Sequence, residues 1–382
     1  MGSVSFLAIA GCQPSKPIAQ PSPKNSPPLE SHLTLNKATL EQTNAKGESL
    51  WKIQVENAVY TPDRKNAQLS KIKGNLFTDG KLVLKVSADK GEIQQDGELV
   101  ILRENIIAID PRNKAIIKSN EVEWRPKESL LLVRNNLKGS HPQLEVTAKE
   151  GKYETRQQRL DLSGNVVGFT KDTPQQKKPP KNPNKKLQLK AEHLFWLIPQ
   201  QKVLNEKLMT VSRFQDQVIT DQVITKKAEL QLNNKLLHIQ ENVDFKSLKP
   251  PLQIAATALT WQYDKRLVSA SQPIQIIDYE QQITLTGNQG WVDLNQNLAS
   301  LTGGTKGISQ GNQATLFANQ LTWNITNQTL EALGNVIYEQ TQSPKFNLTG
   351  DRAVGILQNN SVIVTSNNRQ ERVVTEIYPE SR

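Results

Sequence analysis

The chain has 382 residues, a formal net charge of +10 from 47 basic and 37 acidic side chains, and a hydrophobic share of only 36%. That share is low for a compact globule of this length, so a long body with a thin core is expected. One cysteine, Cys12, excludes an internal disulfide framework and any multi-cysteine metal site, and the four histidines (His32, His141, His193, His238) form no HExxH-type pair. The positive excess permits attraction to anionic membranes, nucleic acid or phosphorylated glycolipid and selects none of them.

The chain opens with a short apolar run, Val4 to Gly11, followed directly by Cys12. Ile9-Ala10-Gly11-Cys12 resembles the lipobox of bacterial lipoproteins. Small residues there give the processing enzymes access, and the thiol carries the lipid. Residues 1–12 are therefore read as a lipoprotein signal segment with Cys12 as the lipidation site. The run is too short to span a bilayer, which takes about 20 apolar residues. Residues 13–28 hold six prolines (Pro14, Pro17, Pro21, Pro23, Pro27, Pro28). Such a segment is neither helix nor central strand. It predicts an extended tether of roughly 50 Å.

From here the chain repeats. The frame starts on a small residue and reaches an aromatic or apolar one five positions later: Ser119 to Trp124, Ala191 to Trp196, Ala256 to Trp261, Ala318 to Trp323. Ala88 to Ile93, Ala148 to Tyr153 and Gly287 to Val292 keep the frame, and Val55, Thr225 and Gly350 open looser copies. A polar turn follows each, then a second apolar stretch ending near a Gly-Asn or Glu-Asn pair, as in Leu330 to Val336. Apolar and polar residues alternate over five to seven positions, the period of a strand. Ten repeats of about 31 residues with two strands each predict about twenty antiparallel strands. Divided between two facing sheets, ten strands each would run near 50 Å at roughly 4.8 Å per strand.

One spacing between repeat starts, from Ala148 to Ala191, is longer than the rest and contains the Pro- and Lys-rich run from Pro174 to Lys186. We read residues 172–187 as an insertion loop between an N-terminal half (29–171) and a C-terminal half (188–366), with a tail at 367–382. The lysines of the loop are most simply solvated.

The frame, with its recurring L-x-L-x-G-N-V ending, resembles the OstA-like periplasmic lipopolysaccharide-transport proteins, and within them the LptC family. The resemblance covers roughly Leu50 to Ser366. It implies an all-β, elongated open β-jelly roll whose two sheets form a V, with lipid A acyl chains in the apolar interior. It further implies a periplasmic bridge segment held at the inner membrane. Its expected partners are lipopolysaccharide, the inner-membrane ABC transporter components of the Lpt system, an LptA-like protein docking through edge strands, and the membrane through the N-terminal lipid. No cofactor, metal, enzymatic activity or nucleic-acid partner is implied. LptC proteins of the familiar kind carry a transmembrane helix and are about half as long; this chain departs on both counts.

Burying acyl chains gains about 0.8 kcal/mol per methylene, while phosphates and sugars must stay in water. Apolar residues on alternating repeat positions are the groove candidates: Ile53, Val55, Val86, Ile93, Ile101, Val146, Ile254 and Leu316. The register that decides which face each occupies is not fixed by sequence. Trp124, Trp196, Trp261 and Trp323 share one repeat position and one expected face, with packing as their main role. Asp79, Asp96 and Asp264 are expected in turns. Two other readings accommodate the repeat: a structural or adhesin-like β-solenoid lipoprotein, and a β-helical polysaccharide-active enzyme. The enzyme reading needs a cluster of acids that the sequence does not show. No P-loop, GxSxG or zinc spacing occurs.

Overall fold

A computed structural model describes residues 33–171, 186–359, 361–366 and 373–378. Cys12, the tether and most of the 172–187 insertion lie outside the described residues. Among those described there are 28 strands and two single-turn 3-10 helices, Gln95–Gly97 and Leu357–Asn359. All strand pairings are antiparallel, and each pass of the chain pairs with the passes before and after it, as the expected all-β architecture requires.

A typical pass bends in the middle. In Leu99–Asp110, Val100 to Arg103 pair with Trp124 to Glu121, the register breaks, and Ile106 to Asp110 pair with Ser119 to Ala115. The bend carries the chain from one hydrogen-bonded ladder into another. Ladder I contains segments such as Ile106–Asp110, Ala115–Ser119, Lys186–Ala191 and Pro251–Ala256. Ladder II contains Leu99–Arg103, Glu121–Arg125, His193–Leu197 and Ala258–Gln262. Fourteen strands run through both ladders. The other fourteen are seven passes broken at the bend, such as Leu130–Arg134 with Leu137–Ser140, or Val218–Thr225 with Lys227–Gln231.

The expected twenty strands are thus twenty-one passes, and each serves both sheets. Each ladder is consequently about twice as long as a division of the strands between two sheets predicts, roughly 95 Å at 4.8 Å per rung. The ladders also run past the insertion: Arg159–Thr170 pairs with Lys186–Leu197 on both sides of the bend.

The line of bends forms a seam, and the sequence repeat marks it. On six of the alternate passes two successive residues adopt positive φ: Glu104-Asn105, Asn135-Asn136, Gly164-Asn165, Glu241-Asn242, Gly303-Gly304 and Gly334-Asn335. Glycine and asparagine tolerate that conformation best, which explains the recurring Gly-Asn pair. On the intervening passes the seam position is the small residue that opens the repeat: Ala88, Ser119, Ala148, Ala191, Thr225, Ala256, Gly287 or Ala318. The ladders converge there and leave little room. Hydroxyls at the seam bind carbonyls freed by the bend: Ser119 Oγ donates to Arg134 O at 2.7 Å and Thr305 Oγ1 to Ala318 O at 2.7 Å.

Opposite the seam, the turns of the two ladders face one another across a mouth. Between seam and mouth lies one continuous core reaching from Leu40 to Ala353. Its thinness, two or three inward positions per ladder segment, accounts for the low apolar content.

Candidate functional site

An apolar interior runs the length of the described body, from Leu40 to Ala353. Six of the eight groove candidates are buried in it: Ile53, Val55, Val86, Ile93, Val146 and Ile254. Leu316 is partly buried against the same core. Ile101 is placed otherwise. Its neighbours Val100 and Leu102 are fully buried, so alternation turns Ile101 to the outer face, beside Glu92 and Glu123. The expectation missed it because the inward parity of a pass is set at the bend, which sequence alternation alone does not locate.

Trp124, Trp196, Trp261 and Trp323 all point inward from ladder II, each no more than 1% exposed. Each is the last inward residue of its strand before a turn, so the four line the inner rim of the mouth. The Trp196 ring meets His141 edge-on from ladder I at 5.5 Å, and Trp261 meets Phe245 at 5.0 Å. These contacts fill the interior as edge-to-face aromatic packing does. None of the four indole nitrogens has a hydrogen-bond partner.

Polar contacts close the mouth over much of its length. Near the N-terminal end Trp51 Nε1 donates to Gly97 O at 2.9 Å. Further along, Tyr153 OH on ladder II donates to Asp110 Oδ2 on ladder I at 2.6 Å, and Arg112 donates to the same carboxylate and, at 2.9 Å, to Thr155 O. The Thr78 and Thr155 hydroxyls pair at 2.9 Å, and Arg156 binds Asp79 outside them. Gln143 bridges to Gln201 at 2.8 Å. Asp79 and Asp96 do occupy turns, both with positive φ.

A second charged cluster follows. Arg213 Nε on ladder I donates to Tyr263 O, and Arg266 on ladder II spans the mouth to Asp221, Ser247 and Lys249 O. Burial pushes the Tyr153 phenol up, with the Asp110 carboxylate adding to it. Burial pulls the Arg213 guanidinium down, opposed by Asp221. The His141 imidazole is lowered by burial, with Lys171 a minor contributor.

Nothing in the repeat frame predicts these latches. Their signal is nonetheless present: Asp110 and Asp221 stand on inward positions, in line with Ala108 and Val223, where the alternation calls for an apolar residue.

Towards the C-terminal end the mouth has an apolar lining instead. A cavity of about 50 Å³ lies between the ladders there, bordered by Leu285, Ile308, Leu316, Leu330, Tyr338 and Val362. Gly307 and Gly355, which face it, leave it unfilled. Leu316 is the groove candidate that reaches it. No group of three or more His, Cys, Asp or Glu side chains gathers among the described residues, and no helix among them is long and apolar enough to cross a membrane.

Residues 5–132, about a third of the chain, match the family model described as LptC, lipopolysaccharide-assembly, LptC-related. Among solved structures, a match is found to LptH, the LptA-homologous periplasmic component of the conserved lipopolysaccharide transport device from Pseudomonas aeruginosa. It has 13% identity and a TM-score of 0.30, covering 34% of this chain and 96% of that one. No curated protein matches.

Proposed function

Starting from a chain recognised as LptC-related over residues 5–132, we propose that it is a periplasmic bridge segment for lipopolysaccharide export. In this reading acyl chains of lipid A lie between the ladders, while sugars and phosphates project through the mouth into water. Cys12 carries a lipid that holds the protein at the inner membrane. The ABC transporter components of the Lpt system deliver the ligand, and an LptA-like protein receives it. The chain binds and passes on its ligand without chemical change and needs no cofactor.

The observation that carries this reading is the single apolar interior that runs without interruption from Leu40 to Ala353. Among the described residues its flanks are edge strands, Leu33–Thr43 at one end and Ser361–Thr365 with Val374–Tyr378 at the other. An unpaired edge is a template for a further strand. Each end therefore offers main-chain hydrogen bonds that would extend the same interior into a neighbour.

One observation favours a second reading, a structural β-solenoid. The interior is filled by the protein's own side chains, and the 50 Å³ cavity holds no more than a fragment of an acyl chain. Acyl binding therefore requires the ladders to part. A photocrosslinking amino acid at Leu316 or Ile254 in cells separates the two. Crosslinked lipopolysaccharide is expected from both positions. A protein that yields no lipid adduct at either, and no lipid on organic extraction, is the structural solenoid.

A further inference from the structure

The four inward tryptophans are more regular than packing demands. In ladder II, Trp124 and Trp196 are separated by four rungs, through the strands that hold Leu131, Tyr153 and Leu160. Trp196 and Trp261 are again four rungs apart, through Val203, Leu230 and Leu237. Trp261 and Trp323 repeat the step through Val268, Val292 and Ala299. The spacing is roughly 19 Å each time. All four sit just inside the mouth, where a ligand with its chains inside and its headgroup outside would place its polar–apolar boundary.

All four also carry a buried indole N–H without a partner. A buried donor left unpaired costs on the order of 1–3 kcal/mol, and most buried polar groups avoid it. Apolar filling alone does not require tryptophan here. The same position of the repeat holds Ile93, Tyr153, Leu230 and Val292 on other passes, all buried, and the strands between contribute Leu131, Leu160, Val203, Leu237, Val268 and Ala299 to the same row. The remaining two tryptophans behave differently: Trp51 donates to Gly97 O, and Trp291 is 37% exposed.

We propose that Trp124, Trp196, Trp261 and Trp323 are binding residues for an acylated ligand, each able to donate its indole N–H to the carbonyl oxygen of an acyl ester or amide. The proposal rests on the acyl-binding reading of the interior. In the closed protein the four donors are unsatisfied. When the ladders part and a chain enters, its carbonyl, an acceptor that must follow it to the edge of the interior, finds a donor already in position. The unpaired donors thus penalise the closed, empty state and favour the loaded one. The regular spacing gives a moving ligand equivalent stations along the interior.

The test uses the full chain carrying ¹⁵N-labelled tryptophan indoles and two probes with the same alkyl length: 1-palmitoyl glycerol, an ester, and 1-O-hexadecyl glycerol, an ether without the carbonyl. The ester is expected to bind about fivefold tighter and to shift the N–H signals of the four tryptophans downfield, leaving Trp51 and Trp291 as internal references. Single Trp→Phe variants keep an aromatic ring and lose the donor, and each is expected to reduce the ester preference. Equal affinities with unmoved indole signals overturn the donor ladder and leave the acyl-binding interior standing. Failure of both probes to bind overturns the two together.

Discussion

Arg266, on a turn of ladder II, holds its Nη2 2.6 Å from the carboxylate of Asp221 on ladder I, with their side chains 9% and 0% exposed. Arg213 Nη1 lies 3.5 Å from Oδ2 of the same carboxylate. Removing Asp221 leaves two guanidinium groups in a buried site without it. Breaking a buried ion pair on one side costs about 3–5 kcal/mol, whereas replacing the whole group with apolar residues is often neutral or better. Asp221→Ala is expected to lose that amount in urea unfolding. The triple variant Arg213→Met, Asp221→Leu, Arg266→Met is expected to recover most of it. If the single variant unfolds like the parent, the latch contributes nothing.

His141 gives the interior a pH response. Its imidazole is held below the usual value by burial and caps the mouth edge-on over Trp196. The unfolded chain therefore binds the proton more readily than the folded one, and stability rises with pH while that difference lasts. The contribution is complete above the unfolded value, near 6.5, and is lost as pH falls below it towards the folded value. His141→Gln is expected to flatten the stability profile between about pH 5 and 7. An unchanged slope over that window removes His141 as its source.

Gly91 lies inward where ladder II begins, with no space for a side chain. A Cβ there would sit 2.6 Å from Ile72 Cδ1 and 2.7 Å from the Ile101 carbonyl oxygen. The backbone oxygen cannot step aside. Gly91→Ala is expected to cost about 1–3 kcal/mol through overpacking, read as a lowered urea midpoint. A neutral result requires the two ladders to be looser at that point than the contacts indicate.

The seam depends on left-handed backbone. Asn335 has φ +50° and follows Gly334 at +76°. Asn335→Gly is expected to be near neutral. Asn335→Val, β-branched in that conformation, is expected to lose roughly 1–2 kcal/mol. Equal stabilities of the two variants contradict the assignment of Asn335 to the bend.

The fold class, the repeat and the four-tryptophan face were all legible from alternation and spacing. The repeat frame begins where it does because Ala88, Ser119, Ala256 and Ala318 occupy the crowded seam. What alternation does not reveal is the seam itself. Between Ala256 and Leu259, or between Ser119 and Val122, the inward parity slips by one residue. Any reading that carries parity from one repeat to the next goes wrong at some positions, as it did at Ile101. The latches were missed for another reason. Arg266 and Asp221 are far apart in sequence and meet only because a turn of ladder II faces an inward strand position of ladder I across the mouth.

Because every pass contributes to both ladders, a single 31-residue repeat is a unit of length. Removing the two passes of one repeat would shorten both faces together by two rungs, roughly 10 Å, with the pairing on either side able to rejoin in register. Growth or loss of such a body proceeds in fixed increments along its axis while its cross-section stays constant. Reach across a compartment becomes a matter of how many modules are counted out, independent of what each cross-section encloses.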